Sequence, residues 1–190
     1  MQNKERLRKK YLSIRKINYF EINSNFFNPL ITLINKKYKK KDINLSIYYP
    51  ASFETNIITI FEKKFTKNIK ILLPVVKRNN SMFFYKWNFQ DILKINKFGM
   101  LEPYEPLNHC IPNVMLVPLL AYDDKKNRLG YGKGFYDRYL IKCLKKYKNI
   151  LTIGIAFSFQ KYHNLPVSNN DVKLNYILTE KGIFAWKYLY

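Results

Sequence analysis

Short apolar runs alternate along this chain with stretches of helical spacing, and few folds accommodate that order. INLSIYYP (43–50), KILLPVV (70–76), SMFFYKW (81–87), VMLVPLLAY (114–122), ILTIGIAF (150–157) and NYILTE (175–180) each read as one short strand, the last of them ending the series. Between them, residues 4–18 space Leu7, Tyr11, Leu12 and Ile14 or Arg15 for a basic amphipathic helix. Residues 25–40 predict a second helix on Phe26, Phe27, Leu30, Ile31 and Ile34, and residues 54–65 are helix-like. Residues 134–147 predict another, with Phe135, Tyr139, Leu140 and Leu144 on one side. A helical turn is expected near 89–93, and residues 99–113, rich in Pro and Gly, suit an irregular segment crossing the sheet edge. Continuous apolar strands separated by helices belong to a sheet covered on both faces, so the expected class is α/β. At 190 residues, with no internal repeat or linker, the chain is expected to form one domain over 1–190.

The net charge of +21 invites a nucleic-acid partner. Lys, Asn, Ile, Tyr and Phe, all with AT-rich codons, are abundant together, whereas Gly, Ala and Pro are scarce. Codon bias therefore produces the charge without a binding role. The basic residues are scattered rather than gathered in one arm, so a solvated basic surface is favoured over a specific nucleic-acid patch. No apolar run reaches the length of a bilayer span, and the charged N-terminus lacks a secretory core. Cys110 and Cys143 make neither a disulfide framework nor a zinc site, which leaves a reducing cytoplasm as the expected compartment.

Three of the six glycines, Gly130, Gly132 and Gly134, fall within five residues in a chain otherwise poor in glycine. Glycine permits positive φ and lets backbone N–H groups converge on one anion. The segment also lies between an apolar strand and a helix, where a phosphate meets the helix N-terminus. Its spacing is neither that of a Walker loop nor that of the dinucleotide fingerprint. On the glycines alone, a turn that binds nothing is an equally good reading. Arg128, Lys133 and Arg138, with Asp137 in the first helical turn as a carboxylate for magnesium, move the reading to phosphate binding.

VPLLAYDDKKNRLGYGKGFYDRYL (117–140) closely resembles the signature of the 5-formyltetrahydrofolate cyclo-ligases. KERLRKKYLSIRK, YYPASFETN, KILLPVV, MFFYKW, FGMLEP, TIGIAFSFQ and LPVSNNDVKLNYILTE resemble further segments of that family in the same order over almost the whole chain. The resemblance implies a three-layer, Rossmann-like domain with a mostly parallel sheet flanked by helices. It also implies conversion of 5-formyltetrahydrofolate, with or without a polyglutamate tail, to 5,10-methenyltetrahydrofolate using ATP and Mg2+; a monomer is expected. Carried over by position, Lys4, Glu5, Arg6, Leu7 and Arg8 are expected at the ATP phosphates, with Lys4 and Arg8 on one helix face. Arg128, Leu129, Gly130, Tyr131, Gly132, Lys133, Gly134, Phe135 and Tyr136 are expected to form the ATP loop. Of these, Arg128, Lys133 and Tyr136 are candidate catalytic groups, and Gly132 to Tyr136 also face the folate. Asp137 and Asp171 are the implied magnesium carboxylates. Pro50, Glu54, Met82, Phe84 and Trp87 are the implied folate contacts, ordinary core packing being an equal alternative for the last three. The chain departs from the family pattern at Lys133 and Leu119, where glycine is usual, at Lys126–Asn127, where glycine precedes Asn, and at Asn56–Ile57, which replace Asp-Thr. The competing classes are a basic nucleic-acid-binding protein and a non-catalytic relative of the family. The first lacks an evident stacking face, and the second is opposed by the complete set of phosphate and metal positions.

Overall fold

A computed structural model describes residues 2–38, 42–63, 68–106, 108–147 and 149–185. In chain order the elements are α1 (Gln2–Asn18), α2 (Asn28–Lys37), β1 (Ile43–Ser46), β2 (Ile69–Val76), β3 (Met82–Lys86), β4 (Leu93–Ile95), β5 (Leu101–Pro103), β6 (His109–Cys110), β7 (Val114–Pro118), β8 (Ala121–Tyr122), β9 (Arg128–Leu129), α3 (Phe135–Lys146), β10 (Leu151–Ile155), β11 (Tyr176–Thr179) and β12 (Gly182–Phe184). Eight strands form the main sheet in the order β12-β11-β10-β7-β1-β2-β3-β6. Its five central strands, β11 to β2, are parallel; β12 and β3 run against them at the two sides, and β6, antiparallel to β3, runs with them again at the edge. This is the α/β architecture expected from the alternation. Among the described residues no helix is long and apolar enough to cross a membrane.

Strand alternation divides the interior into two faces. Leu45, Leu73, Leu116, Ile153 and Leu178 meet Leu30 and Ile34 of α2 on one side. Leu72, Phe84, Met115, Val117 and Ile177 meet Tyr139, Leu140 and Cys143 of α3 on the other. Each fully buried aliphatic side chain here contributes on the order of 2 kcal/mol. A third, smaller cluster seats α1 through Leu7 and Tyr11 on Leu120, Ala121, Leu129 and Leu165. The winding turns at β1, which has β2 on one side and β7 on the other. The crevice beyond the carboxyl ends of β1 and β7 is therefore the place where open α/β sheets receive ligands.

Several local expectations are corrected. The helix expected over 25–40 divides at Asn28: Ser24–Phe27 is a 3-10 turn capped by Asn23, and Pro29 suits only the first turn of α2. The helix-like stretch 54–65 is a 3-10 helix, Ile57–Glu62, started by the Asn56 side chain at Ile58 N (3.3 Å). The ends expected at Lys40 and Phe65 lie outside the described residues. No helical turn forms at 89–93, because Asp91 Oδ2 accepts the N–H of Asn88 at 2.7 Å and closes a tight turn that leads into β4. Residues 99–113 carry two short strands, β5 pairing with β4 and β6 adding to β3. The strand expected over 114–122 ends at Pro118, and β8 pairs separately with β9. NYILTE is not the last strand: β12 returns on β11 after a tight turn, starting at Gly182 with φ 115°.

Candidate active site

Asp123 shapes the approach to the glycine loop. It is buried, and its Oδ1 accepts the N–H groups of Lys125 (3.0 Å) and Asn127 (2.9 Å). Oδ2 accepts Asn127 Nδ2 and the N–H of Leu165. The turn between β8 and β9 is thus tied internally, and it sends Arg128 and Leu129 into the loop. Gly132 (φ 97°) and Gly134 (φ 64°) occupy conformations that L side chains rarely adopt, and Gly134 is the N-cap of α3. At Gly132 a Cβ would also meet Arg8 Cζ at 3.1 Å. Gly130 has no such restriction, since a Cβ there would point into open space.

Helix α1 brings its cations to this loop. Arg8 Nε donates to Gly130 O at 2.9 Å, and Lys4 Nζ pairs with Asp171 Oδ2 at 2.5 Å. Glu5 and Arg6 are exposed, whereas Leu7 is buried against Leu129 beneath the loop. The helical period places Lys4 and Arg8 on one face, as expected, and turns the intervening residues elsewhere. Burial by itself would raise the Asp171 carboxyl. The Lys4 ammonium and the N–H of Ser168 (2.7 Å) more than offset it, and the group lies below the usual carboxylate range.

Arg128 is almost wholly covered, its side chain 4% exposed, and donates from Nη2 to Asp137 Oδ1 (2.7 Å) and from Nη1 to Val172 O (2.8 Å). Asp137 Oδ1 also accepts the N–H of Val172 at 3.1 Å. Those contacts bring the 168–172 segment, with Asp171, against the first turn of α3. Asp137 Oδ2 and Asp171 Oδ1 stay outside these bonds. Among the described residues no group of three His, Cys, Asp or Glu side chains surrounds a metal position. Magnesium commonly binds through one or two carboxylates together with substrate phosphates and water, so this pair fits it.

Glu54 lies beyond β1, buried at 8% exposure. Its Oε2 accepts Ala51 N at 2.9 Å, and its Oε1 accepts the hydroxyl of Tyr131, a residue of the glycine loop. Burial raises the Glu54 carboxyl; the Tyr131 hydroxyl, the Arg15 charge and the Ala51 N–H pull it part of the way back. A cavity of about 470 Å³ opens here, lined by Tyr19, Tyr49, Pro50, Phe53, Glu54 and Phe89 among others. The buried Tyr136 hydroxyl has no hydrogen-bond partner, and burial pushes its ionisation far up. Its ring lies edge-on to Phe84 at 6.4 Å.

The three implied apolar folate contacts are not brought together. Met82 and Phe84 face α3, whereas Trp87 belongs to the opposite face with Phe61, Tyr49 and Phe89. A strand alternates with period two, so positions 84 and 87 cannot share a face. Trp87 backs the cavity through Tyr49 and Phe89. Lys133 and Phe135 instead line a second cavity of about 380 Å³ with Asn79, Asn80, Phe98 and Arg138. Sequence reasoning missed Arg15, Tyr49 and Phe89. For Arg15 one signal was present: Lys4, Arg8, Tyr11 and Arg15 form a single stripe on α1.

A sequence model of the 5-formyltetrahydrofolate cyclo-ligase family matches residues 1–180. The 5-formyltetrahydrofolate cyclo-ligase of Haemophilus influenzae is 30% identical over 154 residues, covering 78% of this chain and 80% of its own. That of Escherichia coli K12 is 29% identical over 150 residues, covering 75% and 80%. Among solved structures, the 5,10-methenyltetrahydrofolate synthetase of Aquifex aeolicus superposes with a TM-score of 0.73 at 28% identity, over 97% of this chain and 93% of that one. Its counterpart from Mycoplasma pneumoniae gives 0.70 at 26% identity, over 93% and 98%. Sequence match and fold agree over nearly the whole length, and the chain belongs to the 5-formyltetrahydrofolate cyclo-ligase family.

Proposed function

We propose that this member of the family performs its reaction, conversion of 5-formyltetrahydrofolate to 5,10-methenyltetrahydrofolate with ATP, by receiving ATP on the Gly130–Tyr136 loop and the folate at Glu54. The observation that carries this reading is the hydrogen bond from Tyr131 of the loop to Glu54. Phosphoryl transfer from one substrate to the other requires their sites to touch, and the contact between the loop and Glu54 supports that arrangement.

In this reading the formyl oxygen attacks the γ-phosphorus and ADP leaves. Folate N10 then adds to the activated carbon, and phosphate departs as the ring closes. An amide oxygen leaves poorly, and phosphorylation makes it a good leaving group. The protein's part is positioning and charge stabilisation. Glu54 accepts hydrogen bonds from an N–H pair of the pterin. Lys4, Arg8 and the loop N–H groups hold the phosphates; Lys133, which faces the second cavity, is given no part in the transfer. Arg128, engaged with Asp137 and Val172, acts by orienting Asp137. The unpartnered Tyr136 hydroxyl donates to a substrate oxygen, which also satisfies a buried polar group. Asp137 and Asp171 would hold Mg2+, which when bound neutralises charge on the ATP phosphates. Gly130 adds support: nothing within the chain requires its missing Cβ, whereas a phosphate lying on the loop would.

The test is incubation of folded protein with 5-formyltetrahydrofolate and Mg-ATP while following the near-ultraviolet absorbance of the methenyl product. Absence of an ATP-dependent rise rejects the reading.

A further inference from the structure

Arg15 is 1% exposed and has no part in the roles assigned above. Its side chain leaves α1 and enters the crevice where the sheet winding reverses. Nε and Nη2 donate to Ser52 O at 3.1 and 2.7 Å, beyond β1, and Nη1 donates to Leu119 O at 3.3 Å, directly after β7. One guanidinium therefore bridges the segments that follow the two strands between which an open α/β sheet receives its ligand. Its Cζ lies 5.5 Å from the centre of the Tyr131 ring, and the Tyr131 hydroxyl donates to Glu54. Among the described residues no carboxylate forms an ion pair with Arg15.

A buried guanidinium whose hydrogen-bond partners are neutral groups is poorly compensated. Here the compensating charge is Glu54, reached across Tyr131. The turn that Arg15 grips is itself strained: Ser52 has φ 49° and Phe53 φ 62°, values that residues other than glycine seldom take. Two such residues in succession persist only where outside contacts hold them. The double donation to Ser52 O is such a contact. The turn closes through Glu54 N to Ala51 O at 3.0 Å and delivers the Glu54 carboxylate into the cavity.

We propose that Arg15 is the positioning residue of the folate subsite: it holds the Ser52–Phe53 turn and, through the Tyr131 ring, keeps the Glu54 carboxylate aimed at the folate. The proposal rests on Glu54 receiving the folate. Among the described residues, Tyr48, Tyr131 and Tyr136 interact with Glu54, Tyr19 and Tyr49 line the same cavity, and Arg15 is the cation that acts on its carboxyl. Burial raises the Glu54 carboxyl and Arg15 opposes that rise, so loss of the guanidinium leaves Glu54 protonated to higher pH.

Steady-state kinetics of Arg15→Lys, Arg15→Gln and Tyr131→Phe across pH test this. In both Arg15 variants KM for 5-formyltetrahydrofolate rises about tenfold, the effect of one charge-assisted contact, while KM for ATP stays within about twofold. The acid limb of kcat/KM for the folate moves to higher pH, further in Arg15→Gln than in Arg15→Lys, which keeps a charge. Tyr131→Phe, at a partly exposed position, moves the limb in the same direction, and its effect does not add to that of Arg15→Lys in the double variant. A parallel rise in both KM values with an unmoved acid limb, or full additivity, overturns the proposal and leaves Arg15 a packing residue. If Arg15→Gln does not fold, Arg15→Lys and Tyr131→Phe carry the test. Wild-type protein that forms no ATP-dependent product would instead reject the folate reading of Glu54.

Discussion

The backbone N–H of Val172 donates to Asp137 Oδ1 at 3.1 Å, while Arg128 grips the same oxygen and the Val172 carbonyl. The entry to the glycine loop and the first turn of α3 are thereby locked at one carboxylate to the 168–172 segment, more than thirty residues further along the chain. Asp171, which precedes Val172, is held in turn by Lys4 of α1. Each proposed metal carboxylate is thus paired with a cation from another element and keeps one oxygen outside the pair.

Asp137→Asn keeps an oxygen for Arg128 and Val172, so it folds, at a stability loss of about 1 kcal/mol. It is expected to lower kcat by two to three orders of magnitude, roughly the loss seen when one preorganised electrostatic group is removed. Turnover measured over a Mg2+ titration, beside a thermal melt, checks this. An unchanged rate removes Asp137 from the metal site.

Glu54→Gln separates stability from function. Burial raises the Glu54 carboxyl, so the folded state tolerates its charge less well than the unfolded state does. Stability linked to this group is complete below its unfolded pKa and is lost as pH rises through its folded pKa. The variant should therefore melt above wild type at about pH 7, the gap closing towards about pH 4, while KM for the folate rises. Paired melts at the two pH values decide it; a gap independent of pH contradicts the assignment.

The loop glycines should divide by role. Gly132→Ala must strain a φ of 97° and press on Arg8, lowering stability by about 1–2 kcal/mol. Gly130→Ala meets nothing within the chain and should melt like wild type, yet weaken ATP binding if phosphate lies against that face. Thermal melts with and without Mg-ATP distinguish the two. Equal losses of stability without nucleotide would place the restriction in the fold alone.

Lys126 occupies the left-handed region at φ 60°, in the turn between β8 and β9. Lys126→Gly should add about 0.5–1 kcal/mol, the relief of a side-chain clash less the greater freedom of glycine when unfolded. A urea midpoint that stays the same or falls would contradict this.

Much of this protein was legible from local pattern. Apolar runs and helical spacing recorded the α/β class because strand and helix periods are properties of consecutive residues. Clustered glycines in a glycine-poor chain marked the loop, and positive φ at Gly132 and Gly134 is the physical reason. Lys4 and Arg8 could be paired in advance because one helical turn separates them. Where side chains compete with the regular backbone pattern, at Asn88–Asp91 and Asn56, local reading failed.

What the tertiary structure alone decided was which distant residues meet. Strand pairing put β7 beside β1, and so set Leu119 and Ser52 at the two lips of one crevice that Arg15 bridges. The same packing joined Tyr131 to Glu54 and Asp137 to Val172, and it placed Trp87 on the face opposite Phe84. Local sequence carries the periods that build elements. Contacts between elements depend on the order and register in which a sheet is assembled, and that is settled only when the two apolar faces are buried together.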